Sequence, residues 1–299
     1  MPNPSPSAAL RQQLGSGTMI VAPGCYDGIT ARLIEGAGFS CAYMTGAGTS
    51  AAHGYPDFGL ITMSEMVANA RRITSTLGIP LISDADTGYG NELSVFRTIQ
   101  EFERAGVAGV HIEDQGFPKK CGHLDDKEII PLDDYLPKIR AAAAARTSKD
   151  FCIIARTDAR AKMGFEEAIR RANAALSAGA DMAFVEAPQT LDEIKSVPKQ
   201  VKGPCLLNVV QGGKTPPIDM SAAEAAGYAI AILPGLLTRS IMAVCDAALK
   251  EMKETGKAPG LPGGVNVRAF FNRFGAEEWD ARRTAFRDPP TAQGKQAAE

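Results

Sequence analysis

No apolar run in this chain reaches the ~20 residues that a membrane-spanning helix needs, and no signal-peptide pattern opens it. Basic residues never exceed two in a row and the formal charge is −2, so neither nucleic acid nor a membrane surface is expected as a partner. Cysteine is sparse and scattered. Its six copies (Cys25, Cys41, Cys121, Cys152, Cys205, Cys245) include no CxxC and no metal-finger spacing, which points to a reducing, cytoplasmic-type protein. A GxGxxG after an early strand is also missing, and TGAG at 45–48 lacks the third glycine, which argues against a doubly wound dinucleotide fold. Strand-type runs joined by hairpin turns are absent too.

What the 299 residues do contain, at 45% hydrophobic and 22% charged, suffices for one large core. Short apolar runs alternate with longer segments of helical spacing. Strands are expected at 19–22, 40–44, 80–83, 107–112, 151–155, 182–185, 205–209 and 228–233. Helices follow them at 27–35, 64–77, 93–105, 132–146, 165–178, 191–197, 221–226 and 236–253. Eight such units predict an α/β fold, a (β/α)₈ TIM barrel over 17–256, after an N-terminal arm at 1–16. The linker APGLPGG at 258–264 leads into a C-terminal arm, 257–299, carrying Phe270, Phe271, Phe274, Trp279 and Phe286. These aromatics need a surface to bury against, on their own barrel or on a neighbouring subunit.

Polar residues that directly follow barrel strands collect at one rim. Here they are Tyr43, Thr45 and Gly46, then Asp84 and Asp86, then His111, Glu113 and Asp114, then Arg156 and Asp158, Glu186 and Asn208. So many carboxylates repel one another unless a cation neutralises them. A hard divalent ion that keeps several waters suits Asp84 and Asp86, expected to share one strand face, with Glu113 on the adjacent strand. Arg156 is the candidate anion clamp, or else a rim ion-pair partner of Asp158 or Glu186. The GGK turn around Lys214 reads as a strand-end loop.

The run VAGVHIEDQGFPKKCGH at 107–123 is the centre of the chain. It leaves an acidic strand end and presents Cys121 between Lys120 and His123, where neighbouring cations are expected to lower the thiol pKa. Thiol and imidazole make an acid–base relay or, on the residues alone, an incidental loop pair. A cysteine protease is disfavoured by the acidic mouth.

Taken together, APGCYDG (22–28), YMTGAGTSA (43–51), DADTGYG (84–90), HIEDQ (111–115), KKCGH (119–123), ARTDA (155–159), Glu186 and LLNVV (206–210) resemble the isocitrate lyase/phosphoenolpyruvate mutase superfamily over 20–253. KKCGH is similar to its lyase branch, because the mutases and decarboxylases lack that cysteine. The resemblance implies a Mg²⁺- or Mn²⁺-dependent enzyme, a homotetramer with the last helix swapped between subunits. Asp84 and Asp86 would hold the metal with its waters and Glu113 would bond those waters, supported by Asp57 and His111. Tyr43, Thr45, Gly46 and Ala47 would line the carboxylate site of a small-molecule dicarboxylate substrate. Lys120, Gly122, His123, Arg156, Glu186, Asn208 and Pro234 would complete it. Cys121 would be the general acid and His123 its support, with Tyr43 the candidate base and Arg156 and Glu186 orienting the substrate.

The implied reaction is retro-aldol cleavage of a 2-hydroxy dicarboxylate to pyruvate or another 2-oxo acid plus a smaller carboxylate. Leu124 stands where 2-methylisocitrate lyases resemble one another in an arginine, which favours a 2,3-dimethylmalate-like substrate. Pro234 stands where oxaloacetate hydrolases are expected to carry a serine, which favours lyase over hydrolase. A non-catalytic dicarboxylate-binding barrel would need no acid on a loop.

Overall fold

Each strand of the computed structural model is short, apolar and buried on both faces, the pattern of a parallel sheet covered by helices. Residues 4–124, 126–260 and 263–287 are described. The strands are β1 (Ile20–Cys25), β2 (Ala42–Met44), β3 (Leu81–Asp84), β4 (Gly109–Glu113), β5 (Cys152–Thr157), β6 (Met182–Val185), β7 (Cys205–Asn208) and β8 (Ile230–Leu233). All neighbours pair in parallel and β8 closes on β1, so the sheet is a closed eight-stranded barrel. The helices in order are α1 (Pro6–Leu14), α2 (Gly28–Gly36), α3 (Gly46–Ala52), α4 (Met63–Thr74), α5 (Glu92–Arg104) and α6 (Leu132–Ala145). There follow α7 (Arg160–Met163), α8 (Phe165–Ser177), α9 (Leu191–Gln200), α10 (Met220–Ala226), α11 (Leu236–Thr255), α12 (Val267–Asn272) and α13 (Ala276–Arg287).

Inward residues Ile20, Ala22, Tyr43, Ile82, Ile154, Phe184, Leu206 and Ile232 fill the barrel, and Leu10 of α1 belongs to the same cluster. Outward alternates such as Met44, Leu81, Val110, Ile112 and Ile153 pack with Ile73, Ile99 and Phe102 of the helices. On α1, Arg11 donates to the Asp150 carbonyl and pairs with Asp181 at 2.8 Å, fastening that helix to the barrel floor. Helix starts follow their sequence signals. Asp27 and Thr30 form one capping box, Thr62 and Glu65 another, and Asn91 caps α5. Closure itself needs Gly24, where a Cβ would lie 2.4 Å from the Pro234 carbonyl oxygen.

Two local expectations change. TGAG is not a bare strand end: Thr45 accepts from the Gly48 amide at 3.2 Å and starts α3. Asp84 and Asp86 do not share a face by strand alternation either. β3 stops at Asp84, and Asp86 sits in a turn with φ 49°.

The chain divides into two compact units at Met242/Ala243. In the second, Phe270 packs edge-on against Phe271 and Phe274, and Arg282 lies over Trp279. Phe271, Trp279 and Phe286 are more than half exposed, and no described residue of α11, α12 or α13 is buried. The expected linker at 258–264 lies partly, and the chain beyond 287 wholly, outside the described residues. Among the described residues no helix is long and apolar enough to cross a membrane.

Candidate active site

All strand-end residues singled out above meet at the C-terminal rim, where barrels carry their polar sites. The turn after β3 is tied down first. The Ala85 amide donates to the His111 carbonyl, the Asp86 amide donates to Asp84 Oδ1 at 2.9 Å, and the Glu113 amide donates to the Asp86 carbonyl. Asp84 Oδ2 accepts from the Gly46 amide at 3.2 Å, and a Cβ on Gly46 would collide with that oxygen at 2.5 Å. Beside it, Tyr43 Oη lies 2.8 Å from His111 Nε2 and donates to Asp84 Oδ2 at 3.5 Å. Thr45 is fully engaged as a helix cap, and Ala47 sits on the first turn of α3.

Burial and charge compete at this cluster. Burial pushes Asp84 up, but His111, Lys119 and Arg156 hold it down at about 2. Asp86 goes the other way, to about 6, because burial and the neighbouring Asp84 and Asp57 charges outweigh Lys119. Glu113 is pushed well above the usual carboxylate range, mainly by burial. Burial and the Asp84 charge also raise Tyr43.

Burial drives His111 down to about 4. A histidine whose folded pKa is depressed from 6.5 contributes stability above pH 6.5 that is lost as pH falls through about 4. Asp86 and Asp114, both raised to about 6, act in the opposite sense, so a melting curve blends the two. We expect NMR titration to find His111 neutral at pH 6; a ring midpoint near 6.5 would contradict its burial.

Arg156 makes the rim ion pairs of the second reading. Nε and Nη2 grip Asp158 at 2.9 and 3.2 Å, Nη1 pairs with Glu113 at 3.1 Å, and Glu186 lies 4.0 Å away. The guanidinium also stacks over Phe184. Glu186 accepts from Asn208 Nδ2 and pairs with His123 Nε2 at 2.9 Å. Despite its burial, Arg156 and His123 keep Glu186 well below the usual carboxylate range.

The loop after β4 lies across this rim. Its base is closed by a bridge between Gln115 and Ile129, and Gln115 binds both the amide and the carbonyl of Lys120. Lys119, rather than the Lys120 singled out from sequence, enters the cluster. Its buried Nζ pairs with Asp57 and, at 2.6 Å, with Asp86. His123 Nδ1 accepts the Lys214 amide at 3.0 Å, so the GGK turn braces the imidazole. Lys127, also missed, binds the Gly122 carbonyl and Asp158. Cys121 is partly buried, and that burial raises its pKa, against the lowering expected from adjacent cations. A thiol that holds its proton suits an acid.

Gly122 has a strict requirement. A Cβ there would meet Arg156 Nη2 and Glu186 Cγ, each at 2.5 Å. Gly122→Ala is therefore expected to hold the loop off the rim and lower kcat/KM by about 10²-fold. Steady-state kinetics check this, and wild-type values would remove the loop from the site.

The donor set suits a hydrated divalent ion. Glu113 Oε1 is buried without a hydrogen-bond partner, and Asp86 and Glu113 are both pushed toward protonation, chiefly by burial. Six carboxylates (Asp57, Asp84, Asp86, Glu113, Asp158, Glu186) lie at this rim, and among the described residues the permanent cations that pair with them are Lys119, Lys127 and Arg156. Among the described residues no three His, Cys, Asp or Glu side chains converge into a closed cage.

A closed parallel barrel with a charged, loop-covered site at its C-terminal rim defines a TIM-barrel enzyme. The phosphoenolpyruvate phosphomutase family model matches residues 10–253. The 2,3-dimethylmalate lyase of Eubacterium barkeri is 47% identical over 269 residues, covering 90% of this chain and 92% of that one. Oxaloacetate acetylhydrolase, solved with the inhibitor 3,3-difluorooxalacetate, superposes with a TM-score of 0.90 at 37% identity, covering 96% of this chain and 98% of that one. Phosphonopyruvate hydrolase, solved with oxalate and Mg²⁺, gives 0.86 at 30% identity, covering 95% and 100%. The chain belongs to the phosphoenolpyruvate mutase/isocitrate lyase superfamily.

Proposed function

We propose that this protein is a divalent-metal-dependent carbon–carbon lyase that cleaves a 2-hydroxy dicarboxylate resembling 2,3-dimethylmalate into pyruvate and a smaller carboxylate. The observation that carries this reading is a part-buried Cys121 thiol, raised by that burial, on the loop that lies over a buried carboxylate cluster with unpartnered oxygens. Asp84 and Asp86 would hold Mg²⁺ or Mn²⁺ and its waters, with Glu113 bonding those waters. Such an ion supplies charge neutralisation and polarises the substrate's 2-oxygen.

The chain's own groups do the rest. The Gly46 and Ala47 amides at the start of α3 and the Tyr43 hydroxyl bind one carboxylate, while Arg156 and Asn208 orient the other. A basic group at the rim takes the 2-hydroxyl proton, C2–O closes to a carbonyl as C2–C3 breaks, and the electron pair of the broken bond passes to C3 and the adjoining carboxylate. Cys121 then delivers its proton to C3, and His123, held by Glu186 and the Lys214 amide, restores it. Gly122 and the loop exclude water.

The substrate side rests on Leu124, 44% exposed, which offers no charge for a third carboxylate and so disfavours 2-methylisocitrate. Likeness to oxaloacetate acetylhydrolase favours a second reading, hydrolysis of oxaloacetate to oxalate and acetate; Pro234 at the end of β8 weighs against it. With Mg²⁺ and a panel of 2-alkylmalates, 2-methylisocitrate and oxaloacetate, we expect pyruvate from the alkylmalates and silence after chelation with EDTA. Oxalate as the main product would replace the lyase reading with the hydrolase.

The assembly we propose is a homotetramer exchanging its C-terminal helices, in a reducing, cytoplasmic setting. The exposed aromatics of α12 and α13 and the six free cysteines support this.

A further inference from the structure

Among the described residues, three basic side chains of the loop over the site pair with carboxylates of the rim, and one of them has no part in the chemistry above. Lys119 reaches Asp86 and His123 reaches Glu186, both groups that face substrate or metal. Lys127 does not. Its side chain is 1% exposed, and its Nζ donates to the Gly122 carbonyl and, at 2.9 Å, to Asp158 Oδ1. Asp158 is itself immobile, since its amide donates to Asp114 Oδ1 at 2.8 Å and its carboxylate grips Arg156 twice. Asp114 is braced in turn by Thr157 and Arg171.

A buried ammonium between two fixed acceptors is costly unless both bonds are made, so the contact has one geometry. That geometry includes the carbonyl of the residue directly after Cys121. We propose that Lys127 is a positioning residue: by tying the Gly122 carbonyl to Asp158 it latches the loop shut and fixes where the Cys121 thiol points. Because Asp158 Oδ1 also receives Arg156 Nη2 at 3.2 Å, one carboxylate sets the height of the acid and of the anion clamp together. Nothing in the run CGHLDDK marks the last lysine as different from a surface charge; only its burial does.

The latch deepens the lyase reading and rests on it for its purpose, but its test does not depend on turnover. Lys127→Met keeps the stem and removes both bonds, and Lys127→Gln keeps a donor without the charge. Iodoacetamide labelling, followed residue by residue by peptide mass spectrometry, reports loop opening at Cys121 and global unfolding at the fully buried Cys25. Losing a charge-assisted pair of bonds should raise Cys121 labelling roughly 10- to 100-fold in the methionine variant and less in the glutamine variant. Labelling of Cys25 should stay at the wild-type rate, and kcat should fall in step with loop opening. Unchanged Cys121 labelling, or a rise shared equally by Cys25, would overturn the latch. Full turnover in a Cys121→Ser variant would instead remove the acid role and leave the labelling result standing.

Discussion

Cys121→Ser is expected to lower turnover of the cleaved dicarboxylate by about 10²- to 10⁴-fold, the usual contribution of a positioned general acid. A serine hydroxyl fits the same space but surrenders its proton far less readily than a thiol. The Cys121 thiol is already raised by burial, so it enters the cycle protonated and gives its proton only to a strong carbon base. Affinity for an uncleavable 2-oxo dicarboxylate should persist, because Tyr43, Arg156, Glu186 and the carboxylate cluster are untouched. Steady-state rates and calorimetry on one preparation separate the two quantities. Retention of both would remove Cys121 as the acid, whereas a wild-type protein that binds the ligand and turns none of it over would fit a barrel that only binds and would end the case for a lyase.

The second large effect is on stability. Arg156 is buried and touches Asp158 twice and Glu113 once, with Glu186 close by. Arg156→Ala would leave those carboxylates buried without their main partner, a change that costs about 3–5 kcal/mol. In a unit of this size that corresponds to a fall in Tm of roughly 6–20 °C. Thermal denaturation checks it, and the loss should shrink with Asp158→Asn in the same chain, which removes one stranded charge. A variant as stable as the wild type would mean that water, not Arg156, compensates those groups.

The barrel was legible because its signal is local and repeated. Eight apolar runs with helical segments between them leave few other folds, and residues 182–185 were placed without error. Strand ends were harder. β5 continues through Arg156 and Thr157, polar residues that look like loop until their burial is known.

Chain order brought Asp84, Glu113, Arg156, Glu186 and Asn208 to one rim, since any polar residue ending a barrel strand arrives there. It misassigned how Asp86 gets there, because a left-handed turn has no period. In the KK pair it chose Lys120 over Lys119; one residue's difference in direction is set by the Gln115 clamp on the Lys120 backbone. The direction of the Cys121 pKa was also beyond reach, because sequence neighbours suggest charge while burial depends on the folded loop. Lys127 escaped for the same reason.

Leu10 and Arg11 close the barrel at the end opposite to every reacting group. The scaffold therefore carries its own keel, far from the deck where the work is done. Loops around the opening can vary while that end stays fastened, which is how one frame can serve relatives named for cleaving, hydrolysing or rearranging small acids.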